Sequence, residues 1–334
     1  MNAGWRSTAT LELIRKRARM LQTIRAFFAE RDVLEIETPL LASSAVTDPH
    51  VDSMEVMQGD KTYYLNPSPE YCMKRFVSEH RCSVYQIGKC FRRGENGPRH
   101  NPEFTMLEWY RVGFSLEQLM AETELLISQL ARSLGRPPLS TRRISYRQLF
   151  EQATGLNPHR CSIGQLADFA RHYHLDIPQG MSEADATGLK AVLEKEAWLD
   201  WLMSTVVTDS LPADQLTTIV DFPESQCALA RQANNAQGEL VSRRFECYIG
   251  KLELANGYDE LTDYGEQRQR FELDNNKRHI LGKPLVQYDR LILQALEHGM
   301  PDCAGVAIGL DRLLMALANR GSIQQVLSYA WTRI

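Results

Sequence analysis

The sequence lacks any CxxC pair. Its seven cysteines are scattered at Cys72, Cys82, Cys90, Cys161, Cys227, Cys247 and Cys303. That spacing argues against a zinc site, and an odd count with no secretory leader points to reduced thiols in the cytoplasm. The opening MNAGWRSTATLELIRKRARM has no apolar core, and no later run is long enough to span a bilayer, so no membrane partner is expected. There is no basic excess. The 38 Lys and Arg face 42 Asp and Glu, for a formal net charge of -4, so the overall footprint of a nucleic-acid binder is missing. Repeats and low-complexity tracts are missing too. What is present is ordinary for a soluble globular protein: 334 residues, 43% hydrophobic and 24% charged, long enough to bury a substantial core.

The most informative stretch is Phe91–Arg111, FRRGENGPRHNPEFTMLEWYR. An arginine pair is followed by a turn carrying Gly94, Gly97 and Pro98, the mark of a long hairpin. If the segment from Asn101 to Tyr110 is a strand, Phe104, Met106, Glu108 and Tyr110 share one face. Thr105, Leu107 and Trp109 share the other, which suits a core. One hairpin then gathers guanidiniums, an aromatic plate and a carboxylate, a set suited to a planar anion beside a cation.

Along the chain, Thr10–Asp32 is predicted helical and capped by Thr10, and Val33–Leu41 alternates like a strand that ends near Pro39. Residues 42–61 are polar and loop-like, and Thr62–Leu65 is a short strand. Glu70–Glu79 is helical behind Pro69, and Ser83–Phe91 is a strand feeding the hairpin. Ser115–Leu134 opens on a capping box of Ser115 and Gln118. Residues 144–212 form a mainly helical block, with helices at Ser162–His174 and Ser182–Val207, in which His172 and His174 are ordinary surface or packing residues. Leu216–Phe222 returns to strand character. Ser242–Ile249 and Leu252–Asn256 form a hairpin that sets Ile249 opposite Leu252 and Tyr248 opposite Glu253. Glu246 and Glu253 become diagonal neighbours, a pair that both a bound divalent cation and a solvated acidic face would satisfy. The ladder breaks at Asn256–Glu260. Gly265–Leu281 and Asp289–His298 are helical, Cys303–Ile308 is a strand, and Gly309 opens a helix with Asp311 and Arg312 in its first turn, where anions commonly bind.

Three of these stretches, VLEIETP (33–39), the hairpin and GVAIGLDR (305–312), resemble motifs 1, 2 and 3 of class II aminoacyl-tRNA synthetases. PEYCMKR (69–75) and RFECYIGKLELANGYDELTD (244–263) narrow the resemblance to the lysyl-tRNA synthetase branch. It implies an α+β fold, an antiparallel sheet flanked by helices. It also implies one catalytic domain over residues 10–334 with the helical block inserted at 144–212, no anticodon-binding domain, and a homodimer through motif 1. With no room for an anticodon domain, tRNA is not the expected acceptor. LEWYR, and Ala307 where lysyl-tRNA synthetases have glycine, are similar to stand-alone paralogues of this branch. Those activate (R)-β-lysine, or lysine, with ATP and Mg²⁺ and pass it to a lysine of translation elongation factor P. A minimal tRNA-charging enzyme and a non-catalytic lysine-binding regulator are the alternatives.

By the same resemblance Arg92 contacts the α-phosphate and, with Arg312, is catalytic. Arg99 and His100 face the outer phosphates, and Phe104 and Arg312 sandwich the adenine. Arg93, Gly94 and Asn101 border the nucleotide, and Leu254 and Gly309 line its pocket by backbone. Glu246 and Glu253 hold Mg²⁺. Ser68, Pro69, Glu70, Glu108, Tyr110, Glu260 and Ala307 bind the diamine, whose ammonium groups need buried carboxylates. One departure stands out: where the family has Phe-Arg-x-Glu, this chain has Gly94, followed by Glu95.

Overall fold

A computed structural model describes residues 5–334. Helix α1 (Leu11–Ala29) is followed by strands β1 (Leu34–Glu35), β2 (Leu41–Ala42), β3 (Met54–Gln58) and β4 (Lys61–Leu65). Helix α2 (Glu70–His80) leads into the long hairpin of β5 (Val84–Phe91) and β6 (Glu103–Val112). Then come α3 (Leu116–Ser133), β7 (Ser140–Ser145) and the helices α4 (Tyr146–Thr154), α5 (Ile163–His172) and α6 (Gly188–Leu202). Strands β8 (Gln215–Pro223), β9 (Gln232–Asn234), β10 (Leu240–Ile249) and β11 (Leu252–Asp259) precede α7 (Tyr264–Ile280) and α8 (Arg290–Gly299). The last pair is β12 (Cys303–Gly309) and α9 (Leu310–Leu317).

The main sheet runs β1-β5-β6-β12-β11-β10-β8-β7, with β9 on β10. Its inner pairs are antiparallel, as expected, and among the described residues only β1 with β5 and β7 with β8 run parallel. One face packs on α1, α3 and α9 through Phe28, Leu107, Trp109, Phe245 and Ile308. A second core joins α4, α5 and α6 to β8, and a third joins α2, α7 and α8. The apolar stripe read from the sequence drives α1 into the main core, and Thr10 caps it by accepting from Leu13 N. The capping box expected at Ser115 is formed, and Ser162 forms another that the sequence reading did not name.

Several boundaries differ from the sequence reading. The strand expected over Val33–Leu41 shrinks to Leu34–Glu35 beside Val84–Tyr85, because this segment sits at the sheet edge and Pro39 has no N–H to give. The polar stretch 42–61 contains β3, paired with β4 across a two-residue Gly59-Asp60 turn. Strand β7 lies mostly ahead of the helical block, where no element was read, and helix α4 opens the block itself. Residues 182–187 are not helical: Ser182 O accepts from the Trp198 indole and Asp185 caps Ile163 N, which draws this segment across α5. Helix α6 then ends in a π turn at Met203–Val207. Strand β11 does not break at Asn256 but continues to Asp259, paired with both β10 and β12.

A buried network ties the elements that bear the site. Asp311, at the start of α9, accepts from Arg17 of α1 (2.5 Å) and from the backbone N–H of Thr105 on β6 (2.7 Å). Arg17 also donates to the Thr105 hydroxyl (2.7 Å). Removing the carboxylate strands a guanidinium and a buried N–H, so Asp311→Ala is expected to lose about 3–5 kcal/mol in urea unfolding. A loss below about 1 kcal/mol would show that the network does not hold α9 to the sheet.

Candidate active site

The sheet face opposite the main core carries a cavity of about 200 Å³ that opens into a larger one of about 690 Å³. Phe104, Met106, Glu108 and Tyr110 line the smaller one, the face that alternation predicts. The strands set these side chains in rows. Glu108 lies opposite Ala307, Ala307 opposite Asn256, and Asn256 opposite Glu246. In the next row Tyr110 lies opposite Gly305, Gly305 opposite Tyr258, and Tyr258 opposite Arg244. The central strand therefore sets the small residues Gly305, Ala307 and Gly309 along the cavity, while Val306 and Ile308 pack in the main core. A Cβ on Gly305 would run into the Glu260 carboxylate and the Tyr110 ring.

The register of β10 and β11 holds a further device. Ile249 faces Leu252 and Tyr248 faces Glu253, as expected, but a bulge then sets Cys247 opposite Ala255. A bulge inserts one residue and re-aims the strand. As a result Glu253, Asn256, Tyr258 and Glu260 all reach the smaller cavity. Glu246 therefore lies opposite Asn256, not diagonally across a regular ladder from Glu253, although both acids line the larger cavity.

One end of the site is a carboxylate cluster. Tyr110 donates to Glu108 Oε1 (2.6 Å) and Ser68 Oγ donates to Oε2 (2.7 Å), while Ser68 Oγ accepts from Glu70 N (3.0 Å). Lys74 Nζ lies 2.6 Å from both Glu70 Oε1 and Glu260 Oε2. Burial pushes the Glu108 carboxyl up to about 7, with the Glu70 charge adding to it. Burial pushes Glu260 up to about 8, against the pull of Lys74. Burial alone would lower the Lys74 pKa, but Glu260 and Glu70 outweigh it and hold the ammonium charged. Ionised, the three carboxylates exceed the one ammonium by two charges.

The other end is cationic. The Arg92 guanidinium lies over the Phe104 ring at 5.3 Å, and its Nη1 is 3.5 Å from Glu95. Its Nε is buried without a partner among the described residues. Arg312 donates to Arg99 O (3.2 Å) and lies 3.9 Å from Glu253. Arg99, His100, Leu254 and Gly309 stand on the same wall. Burial, then the charge of Arg312, holds the His100 imidazole below its usual range. Asn101 also borders the cavity, with its side chain holding the C-terminal segment: it donates to Glu103 O (2.5 Å) and accepts from Trp331 N (3.1 Å).

Two expected neighbours of the nucleotide stand off the walls. Arg93 gives its N–H to Asp52 O (2.8 Å), and Gly94 turns the hairpin at φ +80°. A glutamate at position 94 would be strained there, and it is Glu95 that reaches the cavity. Pro69 lines only the larger cavity.

Glu246 is buried, paired with Arg244 and hydrogen-bonded by Tyr248 OH (2.6 Å). Burial pushes its carboxyl up to about 7. Among the described residues no group of three or more His, Cys, Asp or Glu is arranged to hold a metal. Glu246 and Glu253 are two carboxylates beside the arginine end, which is the protein share that Mg²⁺ takes when phosphates complete its shell.

Sequence reasoning missed Lys74, Asn256, Tyr258 and Gly305. The first had a signal, an i,i+4 spacing from Glu70 on one helix. Another lay in Glu253 and Glu260, an odd seven residues apart, which no regular strand can show to one face.

A family model described as tRNA synthetases class II (D, K and N) matches residues 3–333. The relatives include a protein of Mannheimia succiniciproducens named elongation factor P–(R)-beta-lysine ligase. It is 39% identical over 332 residues, covering 98% of this chain and 97% of that protein. Proteins of the same name from Haemophilus influenzae and Pasteurella multocida are 38% and 37% identical over the same shares. The chain belongs to the class II tRNA synthetases of the D, K and N type.

Proposed function

We propose that this chain activates (R)-β-lysine, or lysine, with ATP and transfers it to a lysine side chain of translation elongation factor P. The observation that carries the reading is the charge count: Glu70, Glu108 and Glu260 around Lys74 fall two positive charges short of neutrality. A diamine supplies those two charges. A lysine-like substrate then presents its own carboxylate toward the arginine end. The names of relatives that match nearly the whole chain favour a protein acceptor over tRNA and over a regulator without activity.

In the first step a substrate carboxylate oxygen attacks the α-phosphorus of ATP. The bond to the β-phosphate bridge breaks and pyrophosphate leaves. No protein nucleophile is needed, only alignment and charge neutralisation. Arg92 takes the α-phosphate, Arg99 and His100 the outer phosphates, and Phe104 with Arg312 the adenine. The backbone at Asn101, Leu254 and Gly309 borders the nucleotide. Glu246 and Glu253 would hold Mg²⁺, which would supply neutralisation of phosphate charge. Ser68, Pro69, Tyr110 and Ala307 complete the amino-acid pocket with the three acids. In the second step the deprotonated amine of the acceptor attacks the acyl carbonyl, an amide forms, and AMP leaves with the electron pair of the broken bond.

The same reading treats residues 10–334 as one catalytic unit with a helical insertion at 144–212, working in the cytoplasm. None of the helices is long and apolar enough to cross a membrane among the described residues. It is a homodimer: Leu34, Leu40 and Leu41 are exposed, an apolar strip that a two-fold partner would cover.

Pyrophosphate exchange that depends on (R)-β-lysine is expected, followed by transfer to purified elongation factor P and not to tRNA. Transfer to tRNA alone, or no exchange with either β-lysine or lysine, would overturn the proposal. Because the acids must ionise to hold a diamine, KM for the amino acid should fall roughly tenfold between pH 6 and pH 8. This is the range in which Glu108 and Glu260, at about 7 and about 8, lose their protons. A flat KM would exclude them as the ammonium partners. Gly305→Ala should displace Glu260 and Tyr110 and cut exchange about a hundredfold, with wild-type rates sinking the close-packing argument.

A further inference from the structure

The larger cavity takes in the arginine end on its inner side, and its outer walls are lined by residues that the adenylation step leaves unused. It shares Ser68, Glu70, Glu253 and Asn256 with the smaller cavity, so it leads directly to the place where the activated carbonyl forms. Its far wall is built by α6, by the π turn at Met203–Val207 and by the segment around His50. Such π turns recur at functional sites.

The charges on that wall are mostly paired. Glu196 of α6 binds Lys277 of α7 at 3.1 Å, Glu246 binds Arg244, and Glu70 binds Lys74. Asp274 has no ion pair among the described residues and accepts from the Thr47 hydroxyl (2.7 Å). Asp200 is different. It is exposed within the cavity, and its single hydrogen bond among the described residues comes from Gln226 Nε2 to Oδ1 (2.7 Å). Beside it stands Tyr146, 1% exposed, whose ring lines the cavity and whose hydroxyl is buried with no hydrogen-bond partner among the described residues. The charge that bears most strongly on that hydroxyl is Asp200. A free carboxylate oxygen beside an unused hydroxyl oxygen offers two acceptors, and an ammonium group brings three donors.

We propose that the larger cavity is the channel by which the acceptor lysine reaches the activated carbonyl, and that Asp200 and Tyr146 hold its ammonium group on the way in. This rests on the protein-acylation reading above. The helical block at 144–212 then serves to present one uncommitted carboxylate to an incoming cation. Asp200 and Tyr146 are acceptor-binding residues and take no part in forming the adenylate.

The test separates the two half-reactions in the full-length enzyme. Asp200→Asn should raise the KM for elongation factor P about tenfold relative to the β-lysine-dependent exchange rate, which the adenylation residues set. Asp200→Glu should recover part of the loss, and Tyr146→Phe should move the acceptor KM in the same direction by less. An acceptor KM at the wild-type value in both Asp200→Asn and Tyr146→Phe overturns the proposal. So does a parallel fall of exchange and transfer in Asp200→Asn that Asp200→Glu does not reverse, since that assigns Asp200 to adenylation or to folding. Failure of the wild-type enzyme to modify elongation factor P, with exchange intact, would instead strike the underlying function and is read before any variant is made.

Discussion

The site depends on one buried ammonium. Lys74 sits between Glu70 and Glu260 with almost no exposure, and without it the acids would face each other unscreened. The pairing also has a mechanical consequence. Glu70 and Lys74 are one turn apart on α2, whereas Glu260 follows the last strand residue of β11. The ion pairs thus lock the third core, where α2, α7 and α8 pack, to the edge of the cavity. Because Lys74 cancels only one of three charges, the cluster is a stable part of the fold and still incomplete as a charge set. That incompleteness is the feature on which the proposed diamine pocket rests.

Geometry supplies the room. Strand β12 runs through the middle of the sheet with Gly305, Ala307 and Gly309 on one face and Val306 and Ile308 on the other. The large side chains fill the core and the small ones leave space for ligand. Beside it, the bulge in β10–β11 turns an odd spacing into a common face, so that Glu253 and Glu260 share a cavity. In the row from Glu108 to Glu246, three strand spacings put roughly 14 Å between the outer two residues. The carboxylate cluster and the arginine end therefore stand on one sheet with opposite charges kept apart.

Much of this was legible in the residues. The hairpin at 91–111 declared its two faces by period-two alternation, and the turn at Gly250-Lys251 set the first two cross-strand pairs of β10 and β11. The caps at Thr10 and Ser115 were readable because a short polar side chain at a helix start acts within three residues. Strand β7, helix α4 and strand β3 were not, and the extent of β1 was read too long. Strand β7 is held by its parallel partner β8 some seventy residues away, and the edge strand β1 keeps only the two residues that pair with β5.

By itself, then, the sequence determined the local elements, the motif order and the chemical kinds of group at each end of the site, because period, capping and turn chemistry act over a few residues. The tertiary structure decided which of those groups meet. Lys74 finds Glu260 across 186 positions of chain because α2 packs under the end of β11. Asn256 and Tyr258 enter the cavity because a bulge shifts the strand by one residue. Asp200 faces the larger cavity because α6 lies along its wall. Each of these is a long-range juxtaposition, set by packing and register, and no local pattern along the chain encodes it.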